Sequence, residues 1–371
     1  MMIKTLLFLI LLIFLTFDNS LARVVGRCSN CHTMHNSQNG SAVASGGPYE
    51  TLLVNSCLGC HSATGGAVWK DPVTGAPIVY NIDSAPIYGG GQGLAGGNFY
   101  WVKTDDTKGH NIFSQDSNLS IAPGDMGYSV CGTNACHANL YGVSVPPGGW
   151  PEIEGRQGCT KCHMITEPTE PPGYGKVKGF HHANDGTGTK YVDSADKGWY
   201  RFLGGHMAGY DSGVTGIEHV SWNYGATTAS HNEYAGMHHI GGGEGFLVLP
   251  KTMTGYCTGC HGVFHDDQRS GSMWIRHPSD AVIPNSGEYG SINTTYNPNV
   301  PVARPIDTFD WAGGPSGTVA AGTDLVMCLS CHRSHGSPYP DMLRWDYSTM
   351  IAGGGGSGGC FTCHTQKNQT P

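Results

Sequence analysis

Hydrophobic positions in this chain fall into one long run and many short ones. Residues 5–17 form a predominantly apolar stretch of 13, with Lys4 before it and Ser20-Leu21-Ala22 after it. A positive flank, a short apolar centre and small residues at the positions a signal peptidase reads describe a secretory leader. The stretch is too short to span a bilayer, and no later one reaches the roughly 18 apolar residues a spanning helix needs. The expected organisation is a signal peptide at 1–22 and a single unit at 23–371 that does not span a membrane. That unit is expected to be secreted, extracellular or at the cell surface, with the periplasm as the alternative.

Beyond the leader, regular patterns are brief. Residues 49–57, following Pro48, predict a short helix. Residues 324–331 predict a second helix and 339–351 a third, while 246–249 predict a short strand. Between them lie turn-forming clusters such as Gly89-Gly90-Gly91, Pro146-Pro147-Gly148-Gly149 and Gly241-Gly242-Gly243. The predicted fold class is mostly irregular coil with short helices and few strands, without a clean domain boundary.

Composition sharpens this picture. Glycine is 57 of 371 residues, and charged residues are 13% of the chain, against a usual charged share of roughly 25%. Such a chain is too apolar and aromatic for a charged disordered tail and too rich in glycine for long helices. Something besides side chains has to supply buried apolar mass. Net charge is −8 and no basic run is present, so nucleic acid is excluded as a natural partner.

The cysteines identify the missing mass. All 14 occur in pairs followed directly by histidine: Cys28/Cys31/His32, Cys57/Cys60/His61, Cys131/Cys136/His137, Cys159/Cys162/His163, Cys257/Cys260/His261, Cys328/Cys331/His332 and Cys360/Cys363/His364. Six pairs have two residues between the cysteines, and the Cys131 pair has four. C-x-x-C-H is the attachment sequence of c-type haem. Two thiols about one turn apart reach the two vinyl groups of one ring, and the next histidine lies beneath the iron as proximal ligand. Histidine is 19 of 371 residues, so seven chance placements after seven cysteine pairs have odds on the order of 10⁻⁹. Zinc ribbons and disulfide frameworks use cysteine pairs, but neither requires that histidine. The expected cofactors are seven covalent haem c groups, with the porphyrins acting as the core and glycine letting backbone approach the rings.

Twelve histidines lie outside the motifs, and seven irons each have a second axial position. His32/His35 and His332/His335 extend the motif to C-x-x-C-H-x-x-H, and His261/His265 offer a looser version. A histidine three residues past the proximal one cannot swing over its own ring, so it serves a second haem packed against the first. His110, His231 and His277 sit beside small, polar or turn residues, and His181-His182 is a tandem pair. The expected distal ligands are His35, His110, His182 (or His181), His231, His265, His277 and His335. His206, His219, His238 and His239 are read as spares. His35, close to the mature N-terminus, reaches either a haem of its own chain or one in a neighbouring subunit; the second option generates a head-to-tail polymer.

The N-terminal motif, Cys28-Ser-Asn-Cys-His-Thr-Met-His-Asn-Ser-Gln, resembles that of outer-surface multihaem cytochromes of metal-reducing bacteria. Cys328-Leu-Ser-Cys-His-Arg-Ser-His-Gly-Ser-Pro-Tyr resembles the doubled-CXXCH, cytochrome c3-like proteins. The group includes OmcS-type cytochromes that polymerise into extracellular filaments, with bis-histidine haems stacked along the axis. The resemblance therefore implies extracellular electron transfer, a homopolymer with head-to-tail contacts, and redox proteins or extracellular acceptors as partners. The seventh motif and the four-residue spacing at Cys131 depart from the six-haem OmcS pattern.

An electron carrier, either filament subunit or soluble periplasmic shuttle, competes with an enzyme such as a multihaem nitrogen- or sulfur-oxyanion reductase. An enzyme needs an iron with an open or labile position. The surplus of histidine, and a histidine rather than lysine in every motif, argue for the carrier and against a catalytic site.

Overall fold

The computed structural model describes residues 57–72, 75–87, 93–114, 140, 159–163, 200–203, 213–238, 251–258, 261, 277–310 and 313–368, together with strand segments at 37–38, 41–42 and 191–192. Most of the described chain is irregular, as expected from its glycine and proline content. The strands are β1 (Ser37–Gln38), β2 (Ser41–Ala42), β3 (Ser62–Ala63), β4 (Tyr80–Asn81), β5 (Tyr191–Val192), β6 (Gly216–Ile217), β7 (Glu233–Gly236), β8 (Ala281–Val282), β9 (Ala303–Pro305) and β10 (Leu325–Val326). The α-helices are α1 (Leu58–His61), α2 (Cys159–Cys162), α3 (Met253–Cys257) and α4 (Cys328–Cys331). Each is about one turn long, and each carries motif residues.

Six strands make one sheet in the order β5-β6-β7-β9-β10-β8. Only β7 and β9 run parallel, with Tyr234 opposite Ala303; the other neighbours are antiparallel. All four residues of β7 are buried, because the sheet is covered on both faces. On one face Tyr234, Ala303 and Leu325 pack with Tyr200, Val214, Met253, Met327 and Leu329. On the other, Ala235 packs with Ile217 and Phe309. The first cluster seats α3 and α4 on the sheet. A separate cluster of Leu58, Tyr80, Phe99, Val102 and Ile112 supports α1.

Two sequence expectations are corrected here. Residues 324–331 are not one helix. Leu325 and Val326 pair with Val282 and Ala281 in the sheet, and Met327 is extended at φ −132 and ψ 169. Burial of Leu325 in the sheet core outweighs the weak helical preference of so short a segment. Residues 339–351 are likewise not one helix. They hold two 3-10 turns, Pro340–Met342 and Tyr347–Thr349, separated by extended chain. Asp341 and Met342 take left-handed φ values of 58, and the segment runs back along the sixth motif, with Arg344 N donating to Cys331 O at 2.8 Å. The expected helix at 49–57 and strand at 246–249 lie outside the described residues, except that Cys57 caps α1.

Glycine permits one close approach that matters for the site. Gly97 and Gly336 form a parallel bridge, with Asn98 N donating to Gly336 O at 3.0 Å. Gly97 has φ +80, and a methyl added there would fall on the Gly336 carbonyl and within 2.9 Å of Arg333 Cβ. Gly97→Ala is expected to lower stability by about 1–3 kcal/mol through overpacking, with further cost from the left-handed backbone. Denaturant unfolding followed by far-UV circular dichroism measures it.

Candidate haem-binding site

Five motifs have both their first cysteine and their histidine among the described residues, and these share one local geometry. In each, the histidine N–H donates to the carbonyl of the first cysteine: His61 to Cys57 at 3.0 Å, His163 to Cys159 at 2.8 Å, His261 to Cys257 at 3.0 Å, His332 to Cys328 at 3.0 Å and His364 to Cys360 at 3.0 Å. That single i→i−4 bond closes a turn. It carries the histidine just beyond the cysteines. In the second motif Cys60 N also donates to Cys57 O, at 3.2 Å, so Cys60 stands one turn after Cys57, and both cysteines are half-buried. Local capping holds the turns: Thr252 accepts from Gly255 N ahead of α3, and Ser330 Oγ takes Met327 N while donating to Pro301 O. No disulfide joins the described cysteines, which leaves the expected thioether chemistry open to each.

The imidazoles are oriented from behind. Nδ1 of His61 meets Pro77 O at 2.9 Å, that of His163 meets Arg201 O at 2.8 Å, and that of His332 meets Asp341 O at 2.7 Å. Two histidines outside the motifs do the same: His110 with Ser334 O at 2.7 Å and His277 with Pro278 O at 2.8 Å. A carbonyl partner fixes the proton on Nδ1 and leaves the Nε2 lone pair for a metal. Burial reinforces this by disfavouring the charged ring. It pushes His110 down to about 4, with His261 adding to the effect, and His335 down to about 3, with His163 and His110 adding to it. Both rings are therefore neutral donors at neutral pH.

Three motif histidines face histidines from elsewhere in the chain. Ring centroids are 6.1 Å apart for His110 and His261, 5.9 Å for His163 and His335, and 6.2 Å for His277 and His364. Two imidazoles on opposite sides of one iron, each bonded at about 2.0 Å, have centroids about 6 Å apart. The rings are thus spaced for one metal between them, and each pair stands at the end of a motif turn. Arg344 adds a further sign of fit. It lies behind the sixth motif with Nε donating to Leu329 O at 2.6 Å, while its buried Nη1 has no protein acceptor. Burial pushes this guanidinium down to about 9. A porphyrin carboxylate is the kind of anion that would satisfy it.

The motifs also meet one another. The Cys159 thiol lies against Cys57, and Cys328 against Cys257. Cys360 and Cys363 neighbour Cys331, whose thiol burial pushes up to about 12. Tyr256, beside the fifth motif, donates its hydroxyl to Cys162 O at 2.7 Å. The second, fourth, fifth, sixth and seventh motifs thus adjoin in succession.

Other expected site residues are placed differently or lie beyond the described residues. His231 is buried and stacked on Tyr296 at 3.6 Å, with Nδ1 on Thr227 O at 3.0 Å and Nε2 without a hydrogen-bond partner. His219, read as a spare, is buried with Nδ1 against Ser221 Oγ at 2.9 Å. His35, His181, His182 and His265 lie outside the described residues. So do Cys28, Cys31 and His32 of the first motif, and Cys131, Cys136 and His137 of the third. In the fifth motif Cys260 is likewise outside them, between the described Cys257 and His261. Sequence reasoning missed Glu288, whose carboxylate meets His364 Nδ1 at 2.7 Å. Separated by 76 positions, the two residues offer no spacing signal.

Residues 318–369 match the doubled CXXCH motif family. That stretch holds the sixth and seventh motifs, whose thiols adjoin. The chain is similar to the C-type cytochrome OmcS of Geobacter sulfurreducens, at 27% identity over 90% of this chain and 82% of that protein. Among solved structures it is similar to the Outer Membrane Cytochrome S filament of Geobacter sulfurreducens, with a TM-score of 0.49 and 21% identity over 88% of this chain and 84% of that one. A second similar structure is that of the OmcS nanowires, with a TM-score of 0.41 and 19% identity over 94% and 92% of the two chains. Covalent c-type haem at the doubled-CXXCH segment accords with the motif chemistry and with the ring spacing. No helix among the described residues is long and apolar enough to cross a membrane.

Proposed function

We propose that this chain is a secreted cytochrome that carries seven haem c groups and conducts electrons outside the cell as a subunit of a head-to-tail filament. The observation that carries the reading is the set of three opposed imidazole pairs spaced about 6 Å apart. We assign His261, His163 and His364 as proximal ligands, with His110, His335 and His277 as their distal partners. The proximal ligands of the other four sites are His32, His61, His137 and His332. Their distal donors come from His35, His182 (or His181), His231 and His265. The thioethers form on the cysteine pair before each proximal histidine. Among these are Cys28 with Cys31, Cys57 with Cys60, Cys131 with Cys136, and Cys257 with Cys260.

Bound haem supplies a one-electron iron couple. The protein's own residues do the rest. Cysteine pairs anchor each ring to a short turn, and carbonyls behind Nδ1 aim the imidazoles of His61, His110, His163, His277 and His332. A histidine from each side would leave a bound haem iron no open position, which would disfavour substrate binding and suit an electron carrier. Adjoining motifs keep neighbouring attachments close. Redox proteins or extracellular acceptors take the electrons.

The similarity to OmcS supports the filament reading, and a donor such as His35 reaching into a neighbour would make an open, heterologous contact. A pyridine haemochrome assay paired with intact mass tests the haem count, with seven per chain expected. Six would leave the Cys131–Cys136 motif empty. Electron microscopy of the secreted fraction tests assembly, and a preparation of monomers alone would refute the filament.

A further inference from the structure

The histidines at the haem-binding positions are not all supported alike. Nδ1 of His61, His163 and His332 meets a neutral backbone carbonyl, as do the Nδ1 atoms of His110 and His277. His364 instead meets a carboxylate oxygen, Glu288 Oε1, at 2.7 Å. This contact is built rather than incidental. Glu288 sits in a 3-10 turn, Gly287–Tyr289, opened by Gly287 at φ +62. The residues after His364 return to clamp it. Gln366 N and Thr365 Oγ1 donate to the Glu288 carbonyl at 3.0 and 3.1 Å, and Lys367 Nζ lies 3.2 Å from Oε2. Tyr289 packs its ring 5.0 Å from that of His364. His364 Nδ1 donates to Oε1 and Lys367 Nζ faces Oε2, so both carboxyl oxygens of Glu288 are engaged by donors, as a carboxylate's are.

A hydrogen bond to an anion is stronger than one to a carbonyl. It draws the Nδ1 proton away from the ring and makes Nε2 a more basic ligand. A more electron-donating axial ligand favours the ferric over the ferrous state, and hydrogen bonding behind the ligand is one of the levers a protein has on haem potential. We infer that Glu288 is a potential-setting residue, which lowers the reduction potential of the haem on Cys360 and Cys363 relative to those whose proximal histidine rests on a carbonyl. The inference rests on the proposed bis-histidine reading of His364 and His277. It sets the C-terminal motif below the His61, His163 and His332 positions in potential. Lys367 opposes the effect by neutralising part of the carboxylate charge.

The test uses the full, haem-loaded chain. Glu288→Gln keeps an oxygen for His364 Nδ1 and removes the charge. Lys367→Met removes the opposing ammonium. Peptide mass mapping first establishes haem on Cys360 and Cys363, and spectropotentiometric titration then resolves the components. One component is expected to move to a more positive potential in Glu288→Gln and the same component to a more negative one in Lys367→Met, with haem content unchanged. Opposite signs exclude simple structural damage. Titrations of both variants that superimpose on the parent, with haem in place, would overturn the role of Glu288 and leave the electron-transfer reading intact. An unmodified Cys360–Cys363 peptide in the parent protein would defeat the haem assignment and this inference with it.

Discussion

His335→Ala will convert one haem per chain from low-spin to high-spin while the others stay attached and low-spin. His335 stands 5.9 Å from His163, ring centroid to ring centroid, and stacks at 4.6 Å on Phe99. Burial and its imidazole neighbours keep it neutral, so it is a donor ready for metal. The thioethers proposed on Cys159 and Cys162 would hold a haem of the fourth motif whatever stood on its far side. Removing the imidazole therefore opens one position without releasing the group. Ferric absorption and electron paramagnetic resonance will show the new species, and intact mass will show unchanged haem content. An unaltered spectrum would remove His335 from the ligand set. His110→Ala should act in the same way on the fifth motif, whose His261 it faces at 6.1 Å.

Arg304→Met will lower stability by about 3–5 kcal/mol, the usual loss when one partner of a buried ion pair is removed. Arg304, on β9, ties β7 to the residue before β10 and to the loop at 316–318. Its Nε meets Glu233 Oε1 at 2.8 Å, its Nη1 meets Asp324, and its Nη2 donates to the carbonyls of Ser316 and Thr318 at 3.2 and 2.7 Å. Its guanidinium also lies over the Tyr296 ring at 5.5 Å. Glu233 and Asp324 are both buried at 3% exposure, so the variant strands two carboxylates away from water. Burial already raises the Asp324 carboxyl in the intact protein. Without the guanidinium the Asp324 carboxyl will titrate still higher in the folded state than in the unfolded chain. Its ionisation then destabilises the fold at neutral pH, and that part of the deficit shrinks as pH falls through the folded-state value. Denaturant unfolding of parent and variant at two pH values measures both effects. Equal midpoints would show that the network carries no net stability.

The sequence disclosed what is local. Each C-x-x-C-H turn is specified by five consecutive residues, and one hydrogen bond from histidine to the first cysteine recurs in every described copy. High glycine and few charges announced a chain without long helices, and the described elements are two to five residues long. What stayed hidden depends on distance along the chain. Strands of two to four residues are too short to show alternation, so the six-stranded sheet left no pattern, and Leu325 reads as helical without its partners Val282 and Ala303. Glu288 gave no signal for a related reason. It is one carboxylate among many, and only the return of residues 365–367 brings it to His364. The C-x-x-C-H-x-x-H spacing did indicate that His335 could not serve its own motif. The segment 93–114 then positions it, with His335 N donating to Gly96 O at 2.6 Å and His110 reaching Ser334 across 224 positions.

This exchange of imidazoles bears on modularity. Residues 318–369 match a family model as a two-motif unit, yet both opposed pairs that involve them cross its boundary. His335 faces His163, and His364 faces His277. Excised on its own, the unit would keep its four cysteines and give up the counterparts of both histidines. Under the proposed pairing the segment would be a module of sequence but not of coordination. Shuffling it into another protein would succeed only where the host offered imidazoles at the same two places.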